Sequence, residues 1–246
     1  MDLITSLDNK KIKYLNKLKD KKFRDTEGLF IIETENLIEE ACQSNLLEEV
    51  YLLEDSNLEF EVPTYYVTKE VMQKISSLKS PSKCLGIVKK IAPRDYQNRL
   101  LILDNIQDPG NLGTIIRTAD SANIKQILVS KDTVDSYSPK VVRSTMGAIY
   151  RVKIIECENL AKTLKSLQTT GFEIVTTDLH TDKSIYDMNY NKKIVVIGNE
   201  ANGVTQESRE LSNYRVKIPM LGKTESLNAA VATGIMIYEY VRQKIQ

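Results

Sequence analysis

The chain has little of what marks several large functional classes. One histidine, His180, and three cysteines, Cys42, Cys84 and Cys157, lie far apart in 246 residues, with no Cys-x-x-Cys pair. Three scattered thiols argue against a disulfide framework, and so small a donor set argues against zinc, so no metal is expected and a reducing cytoplasm is the fitting compartment. No apolar run approaches the roughly 18 residues of a spanning helix, and Met1 to Lys10 has no signal-peptide core, so a soluble, unsecreted chain without a membrane partner is expected. The glycines never form Gly-x-Gly-x-x-Gly, which counts against a nucleotide-dependent oxidoreductase on a doubly wound sheet. Net charge is +1, so any affinity for a polyanion must come from local asymmetry.

That asymmetry is present. Between Lys10 and Arg24 seven lysines and one arginine face a single acid, Asp20, whereas Asp25 to Thr68 carries no Lys or Arg. Such a stretch can be a footprint for phosphates, with Lys10, Lys11, Lys13 and Arg24 as candidates; charge alone favours a solvated helix face. Ile12, Leu15 and Leu18 at helical spacing predict a helix over 9–20, followed by a strand at Gly28–Ile32 and a helix over 35–44. Strands at 49–53, 64–67 and 84–91, with a helix over 69–77, complete a small mixed α/β domain, residues 1–92. Ala92-Pro-Arg-Asp-Tyr-Gln-Asn-Arg99 is polar and proline-bearing, and supplies a linker over 93–99. From 100 to 246, strands at 100–104, 126–130, 152–155, 172–177 and 193–197 alternate with helices at 111–122, 138–146, 159–169 and 226–242. This is the pattern of a parallel sheet covered on both faces.

Three stretches fall where strand-like runs give way to loops or helix starts, the edge at which open α/β sheets present ligand-binding groups. In Asp108-Pro-Gly-Asn-Leu-Gly-Thr-Ile-Ile-Arg117, Pro109 and Gly110 predict a turn and Asn111 a helix cap, with Gly113 and Arg117 on one helix face. Alone, this reads as a capped helix whose Arg117 pairs with Asp120. In Gly198-Asn-Glu-Ala-Asn-Gly203, glycine lets backbone come close to a flat ligand and Glu200 can orient a basic group; a plain strand-to-loop turn fits as well. In Ile218-Pro-Met-Leu-Gly-Lys-Thr-Glu-Ser-Leu-Asn228, Pro219 and Gly222 shape a loop and Ser226 is placed at a helix start, whose free N–H groups can bind a polar ligand.

In this order and spacing the three stretches resemble the motifs of the SpoU/TrmH family of RNA 2′-O-ribose methyltransferases. The resemblance implies S-adenosylmethionine as cofactor, Arg117 as the catalytic arginine, and Asn111 and Glu200 as positioning residues. It also implies that Thr177, Gly198, Asn199, Ile218, Met220 and Leu227 line the cofactor pocket, with Ser226 and Asn228 flanking the reacting ribose. Arg24 to Ala41 resembles, more loosely, the start of the family's RNA-binding substrate domain, with Thr34 where glycine is usual. A deep trefoil knot and a homodimer are implied by the resemblance alone; sequence physics does not propose a knot.

The family's usual proposal makes the first-motif arginine the base. Arginine holds its proton in proteins, with a pKa above about 12, so here Arg117 is expected to hold an RNA phosphate and polarise the hydroxyl while a phosphate oxygen or water accepts the proton. The lysine-rich N-terminal domain favours ribosomal RNA, 23S above all, over transfer RNA. A catalytically idle RNA-binding or ribosome-assembly protein on the same fold is the competing class.

Overall fold

The computed structural model describes residues 3–92, 96, 100–199 and 201–245. In chain order its elements are β1 (Leu3–Ile4), α1 (Lys10–Lys17), α2 (Lys21–Glu27), β2 (Leu29–Glu33), α3 (Glu35–Gln43), β3 (Leu47–Leu53), β4 (Thr64–Val67), α4 (Lys69–Ile75) and β5 (Cys84–Lys89). Then come β6 (Leu100–Asp104), α5 (Pro109–Ser121), β7 (Gln126–Ser130), α6 (Pro139–Ser144), β8 (Lys153–Cys157), α7 (Leu160–Thr169), β9 (Glu173–Thr177), β10 (Lys193–Gly198), α8 (Gln206–Glu210), β11 (Tyr214–Val216) and α9 (Ala229–Ile245). Packing divides the chain into two units: Met1–Ala92 with Tyr137–Arg151, and Pro93–Ser136 with Val152–Gln246. Of the expected linker, only Tyr96 is among the described residues.

The first unit is built on a mixed sheet in the order β1-β4-β3-β5-β2, in which β1, β4 and β3 are parallel and β5 is antiparallel to both neighbours. Ile12, Leu15 and Leu18 bury against Val71, Met72 and Ile75 of α4, as their helical spacing requires. The helix expected over 9–20 ends at Lys17, and a second one, not expected, follows it. Asp20 accepts a bond from Phe23 N at 2.9 Å and so starts α2, which Gly28 ends in the left-handed conformation at φ +68. Arg24, expected on an RNA-binding surface, is instead 4% exposed. Its Nη1 donates to Leu18 O at 2.8 Å and Lys19 O at 2.7 Å, closing the carbonyl end of α1, so its position is set by the helix junction.

Residues 137–151, read from sequence as part of the second domain, pack in the first unit. Their aromatic side chains explain the difference. Tyr137 lies 5.0 Å from the Phe30 ring, Tyr150 OH donates to Leu37 O at 3.0 Å, and Arg151 pairs with Glu40 at 2.8 Å.

The second unit is a six-stranded, wholly parallel sheet in the order β11-β9-β10-β6-β7-β8. Ile102, Ile194 and Val196 pack toward Leu164 and Leu167 of α7, while Leu101 and Val195 lie beside Met236 and Ile237 of α9. Alternate residues therefore point to opposite apolar layers, which is why these strands read as continuous hydrophobic runs. The parallel α/β class expected from sequence is the one observed. The sequence missed α8 and β11, which are only five and three residues long.

Candidate functional site

Four neighbouring strands of the second unit end along one edge: β11 at Val216, β9 at Thr177, β10 at Gly198 and β6 at Asp104. Past that edge the chain must turn, and the residues that make the turns build the site. After Gly198 it folds back at once, with Asn199 N donating to Gly203 O and Gly203 N to Asn199 O, both at 2.9 Å. A Cβ at Gly198 would fall far inside van der Waals distance of the Gly203 carbonyl carbon and the Val204 nitrogen. Glycine at 198 is thus required first by its own loop, whereas the sequence argument assigned the close approach to a ligand. Asn199 fastens the loop further: Nδ2 donates to Asn105 O at 3.1 Å and Oδ1 accepts from Ala201 N at 2.8 Å. Asp104, 1% exposed, accepts from Thr205 N and Thr205 Oγ1, each at 2.8 Å, and so ties β6 to the start of α8.

These loops enclose a cavity whose lining includes Thr177, Gly198, Asn199, Ile218, Met220, Ser226 and Leu227. All six residues named for the cofactor pocket, and Ser226 with them, face one space. Sequence reasoning missed Asp178, His180, Arg209 and Lys217 on the same wall. Asp178 is the carboxylate among the described lining residues, and its place just after a parallel strand's carboxyl end was the signal available. Burial opposes its charge, but the His180 backbone N–H at 2.9 Å, the Arg209 guanidinium and the His180 ring outweigh it, and the carboxyl is held below its ordinary value. Arg209 Nε lies 3.7 Å from Asp178 Oδ2, an ion pair beyond hydrogen-bond distance.

The first and third motifs meet directly. Asp108, not Asn111, caps α5: its Oδ1 accepts from Asn111 N at 2.8 Å. The chain enters the helix two residues earlier than predicted, because aspartate caps as well as asparagine and Pro109 and Gly110, expected in a turn, fit the first helical positions. The Asn111 side chain is thereby left to accept from Asn228 Nδ2 at 2.9 Å. Asn228 in turn starts α9, its Oδ1 accepting from Ala230 N at 2.9 Å and Val231 N at 3.3 Å. Ser226, predicted at that helix start, lies two residues before it and is exposed.

Arg117 is exposed on α5 and, among the described residues, its side chain has no ion pair or hydrogen bond. Asp120, its predicted partner, pairs with Lys125 at 3.0 Å. Arg117 is not among the residues lining the cavity, and Glu200 lies outside the described residues. Lys10, Lys11 and Lys13 belong to the first unit. Lys10 is exposed, Lys11 pairs with Glu49 at 3.0 Å and sits 4.0 Å above the Tyr65 ring, and Lys13 pairs with Asp8 at 2.8 Å. Among the described residues no helix is long and apolar enough to cross a membrane, and no group of three or more His, Cys, Asp or Glu could hold a metal ion.

A parallel sheet with a loop-built cavity at its carboxyl edge, closed by the N-terminal end of the last helix, defines a ligand-binding α/β protein. The model of the SpoU rRNA methylase family matches residues 98–238, and that of the MRM3-like substrate binding domain matches residues 9–86. The 23S rRNA (guanosine(2553)-2′-O)-methyltransferase RlmP of Bacillus subtilis is 30% identical over 97% of this chain and 98% of its own. Among solved structures, an RNA 2′-O ribose methyltransferase is similar with a TM-score of 0.81 at 26% identity, covering 100% of both chains. The AdoMet-bound rRNA methyltransferase from Sinorhizobium meliloti has a TM-score of 0.83 at 28% identity, covering 100% of this chain and 98% of its own. The chain belongs to the SpoU rRNA methylase family, and a segment similar to the MRM3-like substrate binding domain precedes the part that matches that family.

Proposed function

We propose that the protein transfers a methyl group from S-adenosylmethionine to a ribose 2′-hydroxyl of 23S ribosomal RNA, acting as a homodimer in the cytoplasm. The observation that carries this reading is the convergence of Thr177, Gly198, Asn199, Ile218, Met220, Ser226 and Leu227 on one cavity at the carboxyl edge of the sheet. The AdoMet-bound S. meliloti relative and the B. subtilis 23S rRNA relative support it. The residues present fit such a donor. Ile197, Val216, Ile218, Leu227 and Ala229 offer apolar walls to a flat base, and the buried carboxylate of Asp178 suits a ligand bearing positive charge or hydroxyls.

When bound, S-adenosylmethionine supplies an electrophilic methyl group on a sulfonium. The chain's part is to align and to manage a proton. Asn111 and Asn228, hydrogen-bonded to each other, hold the two motifs in register, and Ser226, two residues before Asn228, lines the cavity. Arg117, exposed and unengaged, is assigned to grip the RNA phosphate and polarise the hydroxyl, the proton passing to a phosphate oxygen or water. Glu200 is assigned to orient a basic group. The proposed dimer covers apolar groups that one chain leaves exposed, Leu221 in the third-motif loop and Val231 and Tyr238 on α9. The family's trefoil knot is expected around the same loops.

Incubation with labelled S-adenosylmethionine, ribosomal RNA and transfer RNA tests the reading. Label in a ribose of the large ribosomal RNA is expected; label in transfer RNA alone would move the substrate, and no label would leave an idle RNA-binding protein. Arg117→Lys is expected to lose turnover and RNA affinity, because lysine lacks the planar fork; near-normal values would rule out bidentate phosphate binding.

A further inference from the structure

Two of the four lysines of α1 are paired with carboxylates, and Lys10 is exposed. Lys11 is paired with Glu49 and covers Tyr65, Lys13 is paired with Asp8, and Lys17 lies over the Phe23 ring at 5.8 Å. Free positive charge gathers elsewhere in the first unit. From Val71 to Ala92 the chain has no Asp or Glu, and from Ser136 to Ile155 it again has none. These two acid-free segments meet in space, where Arg143 Nη1 of α6 donates to Ser77 Oγ, just past α4, at 3.1 Å. Lys19, at the α1–α2 turn, joins the seam by donating from Nζ to Lys74 O at 2.8 Å. Lys140 precedes Arg143 by three residues on α6 and so shares its face. Lys79 stands two residues beyond Ser77.

Lys19, Lys74, Lys79 and Lys140 are exposed, Arg143 is half-buried, and none of the five is in an ion pair among the described residues. Of the nearby acids Glu33 is withdrawn, while Asp20 beside Lys19 and Glu70 one turn before Lys74 are exposed. Glu33, 4% exposed, faces inward and accepts from the Ser76 hydroxyl, from Ser77 N at 2.7 Å and from Ser77 Oγ at 2.5 Å. Its carboxylate therefore fixes the turn that presents Ser77 to Arg143, and from inside the fold its charge still acts on Lys19.

We propose that this seam, formed by Lys19, Lys74, Lys79, Lys140 and Arg143, is the surface on which the first unit holds RNA phosphates, in place of the α1 lysines. The inference rests on the RNA-modifying reading above. Each phosphate contact releases counterions and steepens the fall of affinity with salt by about 0.7 to 0.9 in the log–log slope. Lys79 and Lys140 are solvent-exposed and no side-chain bond of either is seen, so their reversal leaves the fold intact.

The test compares Lys79→Glu/Lys140→Glu with Lys10→Glu/Lys13→Glu in the full chain, measuring RNA affinity against salt and the KM and kcat of methylation. The seam variant is expected to bind RNA at least tenfold more weakly, with a salt slope shallower by about 1.5, a raised KM and unchanged kcat at saturating RNA. The α1 variant is expected to change affinity less than threefold. Arg143→Lys is expected to retain most of the affinity that Arg143→Glu loses. Equal affinity in the seam variant and the wild type, or a larger loss in the α1 variant, would overturn the assignment. Failure of the wild-type protein to bind or methylate RNA would instead overturn the functional reading itself.

Discussion

Replacing Gly198 with alanine tests the construction of the pocket from its most constrained atom. The added methyl group would meet backbone, the Gly203 carbonyl and the Val204 nitrogen, so no side-chain rotation relieves it and the 199–204 loop must move bodily. That movement breaks the paired Asn199–Gly203 bonds, which at about 1 kcal/mol each remove about 2 kcal/mol. It also draws Thr205 from Asp104, and a buried carboxylate losing such partners adds roughly 1.5 to 3 kcal/mol. A loss of about 4 kcal/mol in unfolding free energy is therefore expected, with donor affinity falling by at least tenfold where the protein stays folded. Urea denaturation and calorimetric titration with S-adenosylmethionine measure the two effects. A Gly198→Ala protein within about 1 kcal/mol of wild type, binding the donor normally, would refute the argument that glycine is there for backbone contact.

Asn111→Ala and Asn228→Ala, with their double variant, are expected to show a coupling of about 1 kcal/mol in a thermodynamic cycle, Asn228→Ala alone costing about 1 kcal/mol more through its cap; additive losses would mean the two motifs are not joined. Thr34 has φ +98, a conformation that suits glycine, so Thr34→Gly is expected to stabilise the protein by about 1 kcal/mol in denaturant unfolding, and a net loss would contradict the strain. Arg24→Ala is expected to lower the unfolding midpoint while leaving the salt slope of RNA binding unchanged; a shallower slope would return Arg24 to the RNA surface. Hydrogen bonds from Arg242 hold the Glu239 carboxyl below its ordinary 4.5 despite burial. Its stabilising contribution is therefore complete above pH 4.5 and lost as pH falls through the lower folded value, and Arg242→Gln should shrink that acid-linked loss in thermal midpoints taken between about pH 3 and 6, an undiminished loss counting against the Arg242 assignment.

Much of the second unit was legible because its strands are apolar throughout and its helices alternate with them, so periodicity located β6, β7, β9, β10, α5 and α7 closely. Local chemistry was read less well where two residues compete for one role. Asp108 and Asn111 are both good caps three residues apart, and Ser226 and Asn228 two apart; only the folded chain shows that one of each pair caps while the other is left for the site. Charge misled at Arg24, whose neighbours are basic but whose guanidinium is satisfied by carbonyls. Nor does the sequence reveal the proposed seam around Ser77, whose two segments, distant along the chain, meet only once folded. Packing of 137–151 in the first unit depends on long-range aromatic contacts that no period reveals.

Equilibrium titration of the folded protein with S-adenosylmethionine, alongside Leu227→Arg, tests the central claim most directly. The wild type is predicted to bind the donor in the cavity lined by Thr177, Gly198, Ile218 and Leu227, and the variant to lose that binding while keeping its unfolding midpoint. No heat of binding from folded wild-type protein, or undiminished binding by Leu227→Arg, would contradict it.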